Sequence, residues 1–494
     1  RDSRGPRRSF PTRLMTLSHI LLLAAVSLAA GGIPRARRWI LFLAGLLAVY
    51  ALQPALPIRY LDFWLPTASI GLVVCVWALT AGRDGAPASG RRRFAGPDAA
   101  AALAAAGIIL ALAAARYLDF AAVLTASRPP EIAWVAAALL VLLGLAAAFR
   151  SLGSRWILAA AAGIVLALLV VLKTEPLAEA AAGMARRLSG QDPGLASPLD
   201  IRWLGFSYLA FRLVHALRDR MTGRLPECSL REFLTYAVFY PAVTAGPIDR
   251  VERFLKDLRA DAPRLNVTFL PGGERVLAGI FKKFVLADGL AILALNAALA
   301  GRVSSAGWMW LFLYAYAFRI YFDFSGYTDI AVGLARWTGV ALPENFRRPY
   351  LQPNLTAFWN SWHITLAQWF RSYFFNPLTR ALRSHPRRVP MWLIILAGQI
   401  STMALIGLWH GVSWNFLIWG LWHGAGLFLH NRWGEWSRKW MPRLEARPAW
   451  RKAYTAAATL ATFQFVVLGW VWFALPTVAS SAGVFLRLFG IGGG

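Results

Sequence analysis

Apolar residues fall in runs of membrane-spanning length, and the texture of those runs changes part-way along the chain. A spanning helix needs about 20 mostly apolar residues. Six early runs meet or approach this, near Met15–Gly31, Trp39–Ala55, Trp64–Gly82, Ala99–Ala115, Ile132–Ala148 and Trp156–Leu172. They are rich in Ala and Leu and nearly free of polar side chains. Further runs follow near Ile201–Leu217, Phe233–Ile248, Val276–Leu299, Trp308–Phe322, Tyr327–Val340, Met391–Trp409, Trp414–Leu429 and Tyr454–Leu475. These are aromatic and carry His, Asp, Asn and Arg inside or beside them. With some counted as half-spans or surface helices, the pattern predicts an all-α polytopic transmembrane bundle of about 11–14 helices. The first run follows Arg7, Arg8 and Arg13 as a signal peptide would, but no convincing cleavage site precedes the next run, so it is read as a helix.

The polar connection from Lys173 to Asp200, with Pro176, Pro193 and Pro198, marks the expected boundary. It separates an N-terminal extension of about six spans (1–198) from a membrane core (199–494). No tandem repeat is visible.

Composition sharpens the class. The 494 residues are 58% hydrophobic and only 15% charged, against about 45–50% apolar and 25% charged in soluble domains. That excludes a disordered chain, a coiled coil, a collagen-like rod and an ordinary soluble enzyme. The net charge of +28 comes from 52 Lys+Arg against 24 Asp+Glu, and only six of the cations are Lys. The arginines cluster between apolar runs (Arg35, Arg37, Arg38; Arg91, Arg92, Arg93; Arg387, Arg388), where they attract anionic headgroups. Nucleic acid is therefore not an expected partner. Basic loops alternate on both sides of the early spans, so the charges vote both ways on orientation. Cys75 and Cys228 lie in separate hydrophobic segments with neither disulfide-framework nor zinc spacing.

Ionisable residues at membrane depth are costly and mark candidate sites. Of seven histidines, His363, His410, His423 and His430 gather late in the chain, and the first three each follow a Trp. The stretch Leu355–Asn376, LTAFWNSWHITLAQWFRSYFFN, reads as one amphipathic helix. At about 100° per residue, Thr356, Asn360, His363 and Arg371 share an arc of roughly 80°, with Trp362 and Trp369 on the interface side. In Gly407–Gly424, GLWHGVSWNFLIWGLWHG, Gly411 and Ser413 suit a helix end followed by a helix start. His410 then sits at a break, where irregular backbone must be buried by protein or solvated by a cavity. His423, 13 positions on, is about 220° around a continuous helix, so at most one of the two is the chemical group. A bland reading, an interfacial helix and histidines hydrogen-bonded between helices, stands beside this one. No metal spacing, phosphate loop or nucleophile elbow is present in the sequence. An imidazole with small polar helpers suits proton abstraction from a hydroxyl while an activated acyl group is attacked.

Several motifs in order, from Tyr321–Leu378 (YFDFSGYTDIAVGLARWTGVALPENFRRPYLQPNLTAFWNSWHITLAQWFRSYFFNPL) to LIGLWHGVSWNFLIWGLWHG, resemble the membrane-bound O-acyltransferase (MBOAT) family. The likeness is to its bacterial branch, which includes the membrane subunits of alginate O-acetylation and teichoic-acid D-alanylation. TAGPIDRVERFL, GIFKKFVLADGLA and VVLGWVWF add to it. The resemblance covers the chain from about Asp200 onwards. It implies a funnel or tunnel, with His410 matching the catalytic histidine and His363 the second position, His in this branch and Asn in others. Asn360, Arg371, Asp323, Tyr327, Asn345 and Asn415 match supporting polar positions, and His423 joins them as a candidate. Arg371-Ser372, Pro377–Arg380 and Ala474 depart from the pattern, which bears on the acceptor more than on the chemistry.

What the resemblance implies is transfer of an acyl group from a thioester donor, acyl-CoA or an acyl carrier protein, to a hydroxyl of an envelope glycan, polymer or lipid. His410 would act as a neutral general base, with His363 or Asn415 steadying the acceptor or the oxyanion. No tightly bound cofactor and no metal are expected. Membrane lipids and an accessory transferase or carrier protein are the expected partners, and a bacterial cytoplasmic membrane the expected location. The alternatives are a transporter or scaffold lined by buried His and Arg, or acyl transfer to a protein.

Overall fold

The computed structural model describes residues 15–81, 96–118, 125–152, 154–261, 264–386, 389–442 and 446–491. Arg7, Arg8, Arg13, Arg91, Arg92, Arg93, Arg387 and Arg388 lie outside them. Among the described residues the architecture is all-α, with no strand and one isolated antiparallel bridge between Phe346 and Trp362.

The six early runs form α1 (Leu17–Gly32), α2 (Arg37–Ala51), α3 (Leu61–Thr80), α4 (Gly96–Ala114), α5 (Ile132–Phe149) and α6 (Arg155–Lys173). α1 starts on a reciprocal cap: the Thr16 hydroxyl accepts from the His19 N–H, and the His19 ring accepts from the Thr16 N–H, each at 3.3 Å. His19 is thus a helix cap. On α5, Trp134, Leu140, Val141, Leu143 and Leu145 face outward, as do Ile164, Leu166 and Val170 on α6. An apolar helix surface of this extent belongs in lipid. This is an integral membrane protein.

The connection after α6 is folded. α7 (Glu175–Leu188) packs Ala178 and Ala182 against Ile58 and Ile201, and the Arg186 guanidinium meets Asp200 at 2.8 Å. There follow α8 (Phe206–Met221), α9 (Leu230–Ala237), α10 (Val251–Arg259), α11 (Leu265–Ile280), α12 (Ala297–Arg302) and α13 (Ala306–Trp337). The runs near Trp308–Phe322 and Tyr327–Val340, read as two, are one 32-residue helix, α13. Its polar middle is no interruption, because Asp323 and Asp329 are met by Lys283 and Lys282. The run at Phe233–Ile248 is instead cut to the eight residues of α9 and a short turn at Tyr240–Ala242, where Pro241 has no N–H to continue a helix.

The chain ends in α14 (Leu355–Trp359), α15 (Ile364–Phe370), α16 (Asn376–Arg383), α17 (Met391–His410), α18 (Trp414–Ser437), α19 (Pro448–Ala474) and α20 (Val478–Leu488). Among the described residues, six helices are by themselves long and apolar enough to cross a membrane: α3, α4 with its extension to Tyr117, α5, α6, α17 and α19. The 11–14 read from the runs includes core helices such as α13 and α18, which have the length but carry too many polar groups.

Arg37 corrects the reading of its cluster as headgroup-facing. It is 2% exposed and its guanidinium donates to Thr338 O at 2.6 Å, Ala260 O at 3.0 Å and Asp257 O at 3.0 Å. These carbonyls lie at the C-terminal ends of α10 and α13, where the last turn has no partners of its own and carries partial negative charge. One arginine therefore ties two helix ends together.

α17 and α18 form a close antiparallel hairpin. A Cβ placed on Gly407 would stand 2.1 Å from Phe416 O, and one on Gly420 would stand 2.3 Å from Met403 O. Only glycine permits this backbone approach. The hairpin brings His410 to its tip.

Candidate active site

His410 is the last residue of α17, Gly411 continues in extended conformation at φ 176°, and the Ser413 hydroxyl accepts from the Phe416 N–H at 3.4 Å to start α18. The break lies where Gly411 and Ser413 place it. The imidazole is part-exposed and is walled by aromatic rings: Trp409 at 4.6 Å, Phe473 at 4.8 Å, Trp419 at 5.5 Å and Phe416 at 6.0 Å between centroids. Rings hold its orientation while leaving its nitrogens without a hydrogen-bond partner among the described residues. Such an imidazole can take up a proton from an incoming hydroxyl.

The segment carrying His363 differs from the single amphipathic helix expected over Leu355–Asn376. α14 stops at Trp359, His363 adopts a left-handed backbone (φ 42°, ψ 51°), and α15 begins after it. It then passes through a wide turn, Arg371–Phe375, into α16. The cause is tertiary. Residues 345–347 run alongside 361–364: Arg347 N–H donates to Ser361 O and Ile364 N–H to Asn345 O, each at 3.0 Å. The Asn345 amide oxygen accepts from Thr365 N–H at 3.2 Å and from its hydroxyl at 2.7 Å.

The break scatters the expected polar face. His363 is 3% exposed and packs edge-on to Phe324 at 4.7 Å, and among the described residues its Nε2 has no hydrogen-bond partner. Asn360 and Arg371 are exposed and bond to one another, Arg371 Nη2 donating to Asn360 Oδ1 at 2.7 Å. Thr356 pairs with the His430 ring at 3.1 Å. Trp362 and Trp369, expected at the interface, are buried, and Trp369 Nε1 donates to Phe211 O at 3.2 Å.

The two candidate imidazoles meet through Trp409, whose ring centre is 6.0 Å from His363 and 4.6 Å from His410. Motif reading treated Trp409 only as part of a Trp-His pair; its place between the histidines emerges from the fold. Lys173 is a second residue that the motifs did not single out. Its ammonium lies 5.6 Å from the Trp409 ring centre. The signal was present as a lone Lys closing an apolar run.

The remaining candidates act as ties. Asn415 donates to Leu475 O at 2.8 Å and to Ser481 Oγ at 3.0 Å, so both amide protons are engaged and none is left for an oxyanion. Tyr327 OH accepts from Thr244 Oγ1 at 2.8 Å and from Ala245 N–H at 3.1 Å. Asp323 is exposed and paired with Lys283. His423 is fully buried among Trp419 (5.0 Å), Trp359 (5.2 Å) and Phe465 (5.8 Å), with neither ring nitrogen bonded among the described residues. Of His410 and His423, His410 is the accessible one. Among the described residues no three His, Cys, Asp or Glu side chains converge as a metal would need.

A cavity of about 540 Å³ is lined by Phe346, Ser325, Thr328, Arg347 and Arg348, and by Asp329 and Glu344, which are paired with Arg275 and Lys282 and leave it basic. The Ser325 and Thr328 hydroxyls are buried without partners among the described residues. Phe346 stands 5.1 Å from Phe324, which touches His363. Phe346 and Phe324 thus form a chain of ring contacts from this basic cavity to the buried imidazole.

Residues 199–468 match the model of the membrane-bound O-acyltransferase family. The chain is 31% identical over 292 residues to a probable alginate O-acetylase of Azotobacter vinelandii, which covers 58% of this chain and 54% of that protein. It is 31% identical over 239 residues to a teichoic acid D-alanyltransferase of Streptococcus thermophilus, covering 47% and 58%. It is 33% identical over 270 residues to a peptidoglycan O-acetyltransferase of Helicobacter pylori, covering 54% and 48%. The chain spans about half the length of the curated relatives it matches. The matched residues take in both imidazoles, Trp409, Asn345 and the basic cavity, and the chain belongs to the membrane-bound O-acyltransferase family.

Proposed function

We propose that this protein is a membrane-embedded acyltransferase with His410 as general base. The His410 imidazole takes the proton from an acceptor hydroxyl, the oxygen attacks the carbonyl of an acyl thioester, and the thiol leaves as the ester forms. The observation that carries this reading is the part-exposed His410, walled by aromatic rings at a helix break and without a hydrogen-bond partner among the described residues. A positioned base contributes about 10²–10⁴-fold to such a step. His363, buried across Trp409, is read as a positioning residue that acts through that ring.

The donor is an acyl thioester, carried by coenzyme A or an acyl carrier protein. Support comes from the basic cavity, where Arg347 and Arg348 have no acidic partner among the described residues and suit phosphate oxygens. The acceptor is a hydroxyl of an envelope glycan, polymer or lipid, a reading supported by the relatives named for alginate, peptidoglycan and teichoic acid. A bacterial cytoplasmic membrane and an accessory transferase or carrier protein complete the proposal.

The test compares membranes with and without the protein, using a labelled acyl thioester and mass spectrometry of envelope glycans and lipids. Ester-linked label that depends on the protein supports the reading. Protein-dependent counterflow of the same compounds, with no ester formed, overturns it in favour of a transporter.

A further inference from the structure

Lys173 closes α6, outside the residues matched to the family, yet two contacts place it at the candidate site. Its carbonyl accepts from the Val412 N–H at 3.0 Å, which fastens the end of α6 to the turn after His410. Its ammonium lies 5.6 Å from the centre of the Trp409 ring, the ring that also packs on His410 and His363. The side chain is part-buried, and among the described residues it has no hydrogen bond or ion pair. Glu175, two positions on, is exposed. A cation packed on an aromatic ring in a membrane protein is costly unless an anion meets it. The Trp409 face offsets part of that cost and leaves the ammonium's donors free.

We infer that Lys173 determines acceptor specificity by receiving an anionic substituent of the acceptor, a carboxylate or a phosphate, so that a neighbouring hydroxyl faces His410. This rests on His410 being the base. The arrangement favours the acceptor over the donor. The basic cavity suited to the donor's phosphates connects through Phe346 and Phe324 to His363, whereas Lys173 is fastened to the turn beside His410. Lys173 and His410 both pack on the Trp409 indole, so an acceptor unit that carries an anion and a hydroxyl can be shared between them.

The test measures binding without turnover, on purified protein in nanodiscs of zwitterionic lipid. The probes are an oligouronate, an oligo(glycerol phosphate) and a neutral oligoglucoside. Wild type is expected to bind one anionic probe at least about tenfold more tightly than the neutral one, a difference of about 1.4 kcal/mol. Whichever anionic probe wins identifies carboxylate or phosphate as the group read. K173M should erase the preference, K173R should keep most of it, and Gly163→Ala, on the same helix with nothing within 4 Å of the new methyl, should bind as wild type does. Equal binding of the anionic probes by K173M and wild type overturns the inference. So does a loss in K173M that is as large for the neutral probe, since that marks a structural role. Anion binding that depends on Lys173, in a protein that transfers no acyl group, would sink the acyl-transfer reading and leave this site standing.

Discussion

Asn345 holds His363 in its left-handed backbone conformation. The Asn345 carbonyl accepts from Ile364 N–H at 3.0 Å, and its amide oxygen takes both the N–H and the hydroxyl of Thr365. A left-handed backbone costs an ordinary residue roughly 1–2 kcal/mol, and Asn tolerates it better than most. Here the neighbouring segment supplies the compensation, and the imidazole is turned inward towards Phe324 and Trp409.

His363→Asn should therefore melt close to wild type, whereas His363→Val should be less stable by about 1–2 kcal/mol, the cost of a β-branched residue in that conformation. Thermal unfolding in detergent measures the difference. Equal melting of the two variants would show that Asn345 does not fix a strained turn.

The close hairpin of α17 and α18 makes a second expectation. Gly420→Ala puts a methyl 2.3 Å from Met403 O, so the helices must separate. Overpacking of this kind costs about 1–3 kcal/mol, and the His410 tip moves with it. Gly163→Ala, on α6 with nothing within 4 Å of the new methyl, should be neutral or slightly stabilising. Melting of the two variants side by side checks the contrast.

Arg37 supplies a third. Arg37→Met strips donors from carbonyls at the ends of α10 and α13. Each buried carbonyl left without a partner costs about 1–3 kcal/mol. Arg37→Lys should recover only part of this, because an ammonium lacks the guanidinium's fork of five N–H groups. Arg35→Ala, at an exposed position of the same cluster, should change stability by no more than about 0.5 kcal/mol. Expression level and melting temperature report all three.

Much of the architecture was legible in the chain. The early spans and the break after His410 followed from local chemistry: long apolar runs, then Gly411 and Ser413 at a helix end and start. The segment around His363 did not yield to the same method. LTAFWNSWHITLAQWF keeps a helical pattern of apolar positions throughout, and what breaks it is hydrogen bonding from Asn345 and Arg347, a tertiary contact with no local signature. The same contact explains why Trp362 and Trp369 are buried where an amphipathic helix would have put them at the interface. Arg37 and Lys173 were hidden for a related reason. A basic residue beside an apolar run looks the same in sequence whether it meets headgroups, helix ends or a candidate site.

The most direct test of the account is single-turnover acyl transfer from a labelled thioester by His410→Ala, in protein that melts and inserts as wild type does. Loss of transfer by about 10²-fold or more is the predicted result. Transfer at the wild-type rate would contradict it.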